Sequence, residues 1–138
     1  MTSQAQAESP LPGVAGLAFL GWPLHPAGKP SVERAAHLSA TRIPMLFIQG
    51  TRDALGDPDL MREVVERLGS RATLVEVPEG DHSFHVPTRS GRTDHEVLDQ
   101  ALARASIASR TPATLWLGRL SQITVSPTRS VGASICST

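Results

Sequence analysis

Pro44-Met45-Leu46-Phe47-Ile48-Gln49-Gly50-Thr51-Arg52-Asp53 decides the fold class of this chain. The run is short, nearly continuous in apolar residues and closed by a glycine. Such a run suits a strand buried on both faces of a parallel sheet. Gly16-Leu17-Ala18-Phe19-Leu20-Gly21 has the same character, and Ala72-Thr73-Leu74-Val75-Glu76-Val77 is a third run of similar length. Glu76 places that third strand nearer a sheet edge.

Helical patterns lie between and after these runs. In Asp57 to Gly69, Leu60, Met61, Val64, Val65 and Leu68 form one apolar stripe. Asp57 is placed to cap its start, Pro58 suits the first helical position, and Gly69 suits the left-handed residue that ends a helix. A second helix is expected from Thr93, with Val97, Leu98, Ala101, Leu102 and Ala105 on one face. Thr93 and Glu96 have capping-box spacing. A shorter helix is expected over 31–38. Strands alternating with helices of this length imply right-handed βαβ units, hence an α/β fold of about three parallel strands with flanking helices.

The composition narrows the function. The chain has 138 residues, 40% of them hydrophobic, with 13 basic and 13 acidic side chains balancing to zero net charge. That length suits one domain. The basic residues are scattered, so neither nucleic acid nor an anionic membrane is expected as a partner. No apolar run approaches the ~20 residues of a membrane span. A lone cysteine, Cys136, excludes an internal disulfide framework. The first ten residues carry no secretory signal pattern, which makes the cytoplasm the expected compartment.

Chemistry on an open α/β sheet gathers at the carboxyl ends of the strands. Three loops leave such ends: 22–30, 51–56 and 78–85. The second carries Asp53 and the third carries His82, in Glu79-Gly80-Asp81-His82-Ser83-Phe84. An acid after one strand and a histidine after the next is how a Ser-Asp-His triad closes on such a sheet, in chain order serine, acid, histidine. The histidine takes the nucleophile's proton while the buried carboxylate holds one tautomer. Taken singly, Asp53 could be a turn residue before the next helix; the two residues together favour the triad. The serine should precede Asp53 in a G-x-S-x-G turn, and no such turn occurs in these residues. Ser3 and Ser9 lack the glycines of an elbow, and Ser83 follows the base. Asp81 reads as a turn residue, and His37 and His95 as surface histidines. His25 reads as a loop residue packed between prolines and is a candidate substrate contact. His82 and His85 have H-x-x-H spacing without a third ligand, so no metal is expected, and the chemistry calls for no cofactor.

No acidic residue follows Asp99, and the chain from Ser109 is rich in Ser and Thr, with prolines and glycines as breakers. Residues 114–117 and 122–125 could be short strands without clear partners. The expectation is a domain over residues 1–106 and an irregular, poorly ordered or unrelated tail over 107–138, as a change of reading frame would produce.

Gly21-Trp22-Pro23-Leu24-His25-Pro26-Ala27-Gly28-Lys29-Pro30 resembles the G-[YFW]-P-L-H-P-x-G-K-P segment of a dienelactone-hydrolase-like group. This is the α/β-hydrolase-like family of testis-expressed protein 30 and regulatory subunit 3 of the non-specific-lethal complex. Pro44 to Asp53 resembles the acid strand of that family and Gly80 to Phe84 its histidine loop. The similarity runs from about Val14 to about Ala105, and Met1-Thr2-Ser3 resembles the helix after the nucleophile turn. The resemblance implies a partial α/β-hydrolase fold, its C-terminal half, with Asp53 as triad acid and His82 as triad base. It implies ancestry as a serine hydrolase of a small ester or acyl substrate, inactive by itself without the elbow. It also implies that the strand at Leu17–Leu20 lacks the nucleophile strand as its neighbour. That would leave an apolar sheet edge open to self-association and a domain of marginal stability. The alternatives are a non-catalytic binding or scaffold module of the same family and a truncated, frame-shifted remnant.

Overall fold

The computed structural model describes residues 2–108, with side chains through residue 105. The expected strands at 114–117 and 122–125, the character of the tail and Cys136 lie outside the described residues.

Among the described residues three strands form one parallel sheet in the order β1-β2-β3: β1 is Leu17–Leu20, β2 Met45–Gly50 and β3 Ala72–Val77. Their registers coincide, with Leu17 opposite Met45 and Met45 opposite Ala72. The strands therefore start level; β2 and β3 end together at Gly50 and Val77 and β1 two residues earlier at Leu20, so the three following loops open on one edge of the sheet. Side chains alternate across a strand, so β2 faces two cores. Met45 and Phe47 join Leu17, Leu24, Leu38, Met61, Val64 and Leu68 on one side. Leu46 and Ile48 join Val75, Val77, Phe84, Val97, Ala101 and Ala105 on the other. The result is a three-layer α/β sandwich centred on β2.

The helices follow the sequence signals closely. Helix α1 covers Thr2–Glu8 and buries Ser3 and Gln6. Helix α2 is Pro58–Leu68; the Asp57 carboxylate accepts the amides of Asp59 and Leu60, and Gly69 takes φ 64° after the last turn. Helix α3 is Asp94–Ala108. Its capping box is reciprocal: the Thr93 amide donates to Glu96, and the Glu96 amide to Thr93 Oγ1. The Thr93 amide and hydroxyl, both donating to Glu96 Oε2, hold the Glu96 carboxyl below its usual range. Among the described residues no helix is long and apolar enough to cross a membrane.

Two elements depart from expectation. Where a helix is expected over 31–38, the chain forms a 3-10 helix over Glu33–Ala40. Its backbone closes on the third residue back, Ala35 to Val32 and Thr41 to Leu38. Only Ala35 and Leu38 are buried, and a spacing of three matches three residues per turn. Strand β1, whose apolar run suits burial on both faces, is an edge strand among the described residues, the position that the family resemblance implies; only its first residue is fully buried, and Leu20 is 39% exposed. Its run of apolar residues reports an edge rather than the interior. Strand β2 meets the expectation in full, with all six residues buried.

Candidate active site

Asp53 and His82 are 29 residues apart in sequence and meet in space: His82 Nδ1 lies 2.8 Å from Asp53 Oδ2. The approach is built by the backbones beneath them. Past the strand ends, the Thr51 amide donates to Val77 O at 3.0 Å and the Arg52 amide to Gly80 O at 2.9 Å. In return, the Glu79 amide donates to Thr51 Oγ1 at 2.9 Å. The acid loop and the histidine loop are thus zipped side by side.

This closeness needs glycines at two positions. A Cβ on Gly50 would sit 2.2 Å from Gly80 O and 2.5 Å from Asp81 O. A Cβ on Gly21, whose φ is +61°, would sit 2.6 Å from His82 O. The obstacles are backbone atoms that cannot swing aside. Gly50→Ala should therefore cost about 1–3 kcal/mol by overpacking and push the histidine loop off the acid. Urea unfolding checks the first part; a variant as stable as the parent would contradict it.

Asp53 is buried, its side chain wholly so, and its carboxylate receives three donors. Oδ1 accepts the Leu55 amide at 2.8 Å. Oδ2 accepts both the Gln49 side-chain amide and His82 Nδ1. A buried carboxylate is tolerable when its lone pairs are so engaged. Because Asp53 acts as acceptor to the other two donors, the geometry assigns the proton of His82 to Nδ1, which leaves Nε2 with a free lone pair. The ring is 30% exposed, and among the described residues no group hydrogen-bonds Nε2.

The histidine loop is rigid by construction. Asp81 is the turn residue expected: its carboxylate accepts the amides of Ser83 and His85. Phe84 adopts φ 64°, a left-handed conformation that costs a non-glycine residue about 1–3 kcal/mol. Its ring is buried against Ile48, Val75 and Val77 in the core facing α3, and that burial holds the turn closed.

The remaining histidines have other work. His25 is 4% exposed, and both ring nitrogens are engaged by backbone. Nδ1 donates to Pro26 O at 3.0 Å, and Nε2 accepts the Asp57 amide at 3.1 Å. With its own amide on Leu55 O, His25 clasps the first loop to the acid loop. His37 is half-buried rather than a surface residue; Nε2 lies 2.9 Å from the buried Ser3 Oγ, tying α1 to the 3-10 helix. Burial holds its imidazole below the ordinary value. His85 pairs with Asp94 on the surface, and that hydrogen bond raises its basicity. His95 lies beside Asp99 on the exposed face of α3. Among the described residues no group of three His, Cys, Asp or Glu side chains could hold a metal ion.

The sequence reasoning missed Gln49, Gly56 and Phe84. Gln49 had a visible signal, as the one polar side chain in a run that is otherwise core. The Gly56 requirement, a contact with that amide, and the Phe84 backbone conformation had none.

A family model described as an alpha/beta hydrolase domain matches residues 1–109. No match was found among curated proteins or among solved structures.

Proposed function

The chain belongs to the alpha/beta hydrolase domain family, and from that premise we propose that Asp53 and His82 are the acid and base of a serine hydrolase acting on small esters or acyl compounds. The observation that carries the reading is the 2.8 Å contact from His82 Nδ1 to a buried carboxylate, with no hydrogen bond to Nε2 among the described residues. In the reaction, Nε2 takes the proton of a serine hydroxyl as its oxygen attacks the ester carbonyl. Asp53 stabilises the imidazolium so formed. The proton then passes to the leaving alkoxide, and water releases the acyl group by the same base. Within the family, the motifs at Gly21–Pro30, Pro44–Asp53 and Gly80–Phe84 support the dienelactone-hydrolase-like group.

These residues contain no G-x-S-x-G turn, so the chain by itself lacks both the nucleophile and the backbone donor beside it that would stabilise an oxyanion. The isolated chain is therefore expected to give no labelled peptide with a serine-reactive phosphonate. A phosphonylated serine mapped within these residues would overturn the prediction of inactivity.

Strand β1 supports a second role, in association. Among the described residues it is a sheet edge carrying the exposed Leu20, and an open edge with an apolar side chain pairs readily with another chain. Self-association is expected to grow with concentration in sedimentation velocity, and Leu20→Lys should suppress it without altering the unfolding midpoint. A parent chain that stays monomeric at high concentration would sink this role.

A further inference from the structure

We propose that Gln49 is a positioning residue for the acid–base pair, a buried amide clamp that fixes which nitrogen of His82 is free. The proposal rests on the acid–base reading of Asp53 and His82. Gln49 is 2% exposed at the carboxyl end of β2. An amide buried without partners costs about 1–3 kcal/mol, so its placement in the most enclosed strand calls for partners at both ends. Both are present. Oε1 accepts the Trp22 amide at 2.9 Å, and Nε2 donates to Asp53 Oδ2.

The orientation of this amide is determined by chemistry. The Trp22 backbone N–H can only donate, so the atom facing it must be the oxygen. The NH2 group must then face Asp53. The same carboxylate oxygen meets His82 Nδ1. One lone pair of Oδ2 goes to Gln49, and Oδ1 is held by the Leu55 amide. The carboxylate is thereby fixed in rotation and kept an acceptor, which leaves His82 to supply a proton at Nδ1.

Gly56 completes the clamp. A Cβ there would lie 2.4 Å from Gln49 Nε2 and 3.2 Å from Trp22 O. The turn after Asp53 thus closes against the amide, and only a glycine leaves it room. The clamp joins the loop after β1, the strand β2 and the acid loop, so the carboxylate is oriented from a strand as well as from its own loop. Sites held on strands keep tighter geometry than sites held on loops alone.

The test uses ring and side-chain ¹⁵N spectra of the full chain. His82 is assigned with a His82→Gln variant, and the exposed Gln4 serves as the reference amide. In the parent, the Gln49 NH2 protons should exchange with solvent far more slowly than those of Gln4, and neutral His82 should carry its proton on Nδ1. Gln49→Met removes the donor. Gly56→Ala displaces the amide while leaving Gln49 chemically intact. Both should convert the His82 ring from one tautomer to a mixture, with partial protonation of Nε2. Fast exchange of the Gln49 amide in the parent overturns the clamp without recourse to any variant. A parent ring in the Nε2–H form defeats the acid–base reading itself. A parent in the Nδ1–H form whose folded variants keep it defeats the Gln49 proposal alone.

Discussion

Phe47→Ala is expected to remove most of the stability of the domain. Phe47 is wholly buried in the central strand. Its ring stacks on Phe19 at 4.7 Å between centroids and meets the edge of Trp22 at 5.8 Å. Truncating such a side chain costs about 3–5 kcal/mol, through lost transfer energy and the cavity left behind. The loss of two aromatic contacts adds to this. A domain of this size is stable by only about 0.05–0.15 kcal/mol per residue, so one substitution consumes a large share of the total. The effect extends to the site. Trp22 supplies the amide that Gln49 accepts, and its ring would lose the surface that fixes it. The check is the urea midpoint by far-ultraviolet circular dichroism. A shift worth under about 1 kcal/mol would mean that β2 is not the centre of the packing.

Asp53→Ala should be nearly as severe, for an electrostatic reason. The wholly buried carboxylate accepts from Gln49, Leu55 and His82. Its removal leaves three donors facing a cavity. Each buried donor left without a partner costs about 1–3 kcal/mol, because it retains its desolvation penalty. Combining Asp53→Ala with Gln49→Leu should cost less than the sum of the two, since the second change removes one stranded donor. Unfolding free energies of the parent, the two singles and the double give the coupling directly. Strict additivity would show that the two side chains do not share a network. Where a serine does reach Nε2, losing the orienting acid should also lower turnover by ~10⁴-fold, the order expected when the histidine tautomer is wrong.

Much of the fold was legible in the sequence because its signals are local. The stripe Leu60, Met61, Val64, Val65, Leu68 and the flanking Asp57 and Gly69 specify α2 without reference to the rest of the chain. The same holds for the box of Thr93 and Glu96. Asp53 and His82 were legible because each directly follows an apolar run, and parallel strands in register bring such positions to one edge. What could not be read was long-range. The exposure of Leu20 depends on which strand has a neighbour: the apolar run of β1 does not carry it, and only the family resemblance pointed to an open edge there. The function of Gln49 depends on a backbone amide 27 residues away. His25 carries the residue type of a catalyst, yet its two nitrogens are taken by Pro26 O and the Asp57 amide. Only the fold shows that both are occupied. The 3-10 helix over Glu33–Ala40 was misjudged because two buried residues three apart satisfy either helix type.

The near-contact of Gly50 with Gly80 constrains how this neighbourhood can diverge. One added residue between Thr51 and Arg52, or between Val77 and Gly80, would put the pairings Thr51–Val77 and Arg52–Gly80 out of step. Side chains there remain free to drift wherever they face solvent, but loop length does not. Insertions are admissible only where the chain has left the zipper, as in the surface stretch 87–92. The two loops are therefore constrained as one unit: a change of length in either disturbs the other, although more than twenty residues of helix and strand separate them in sequence.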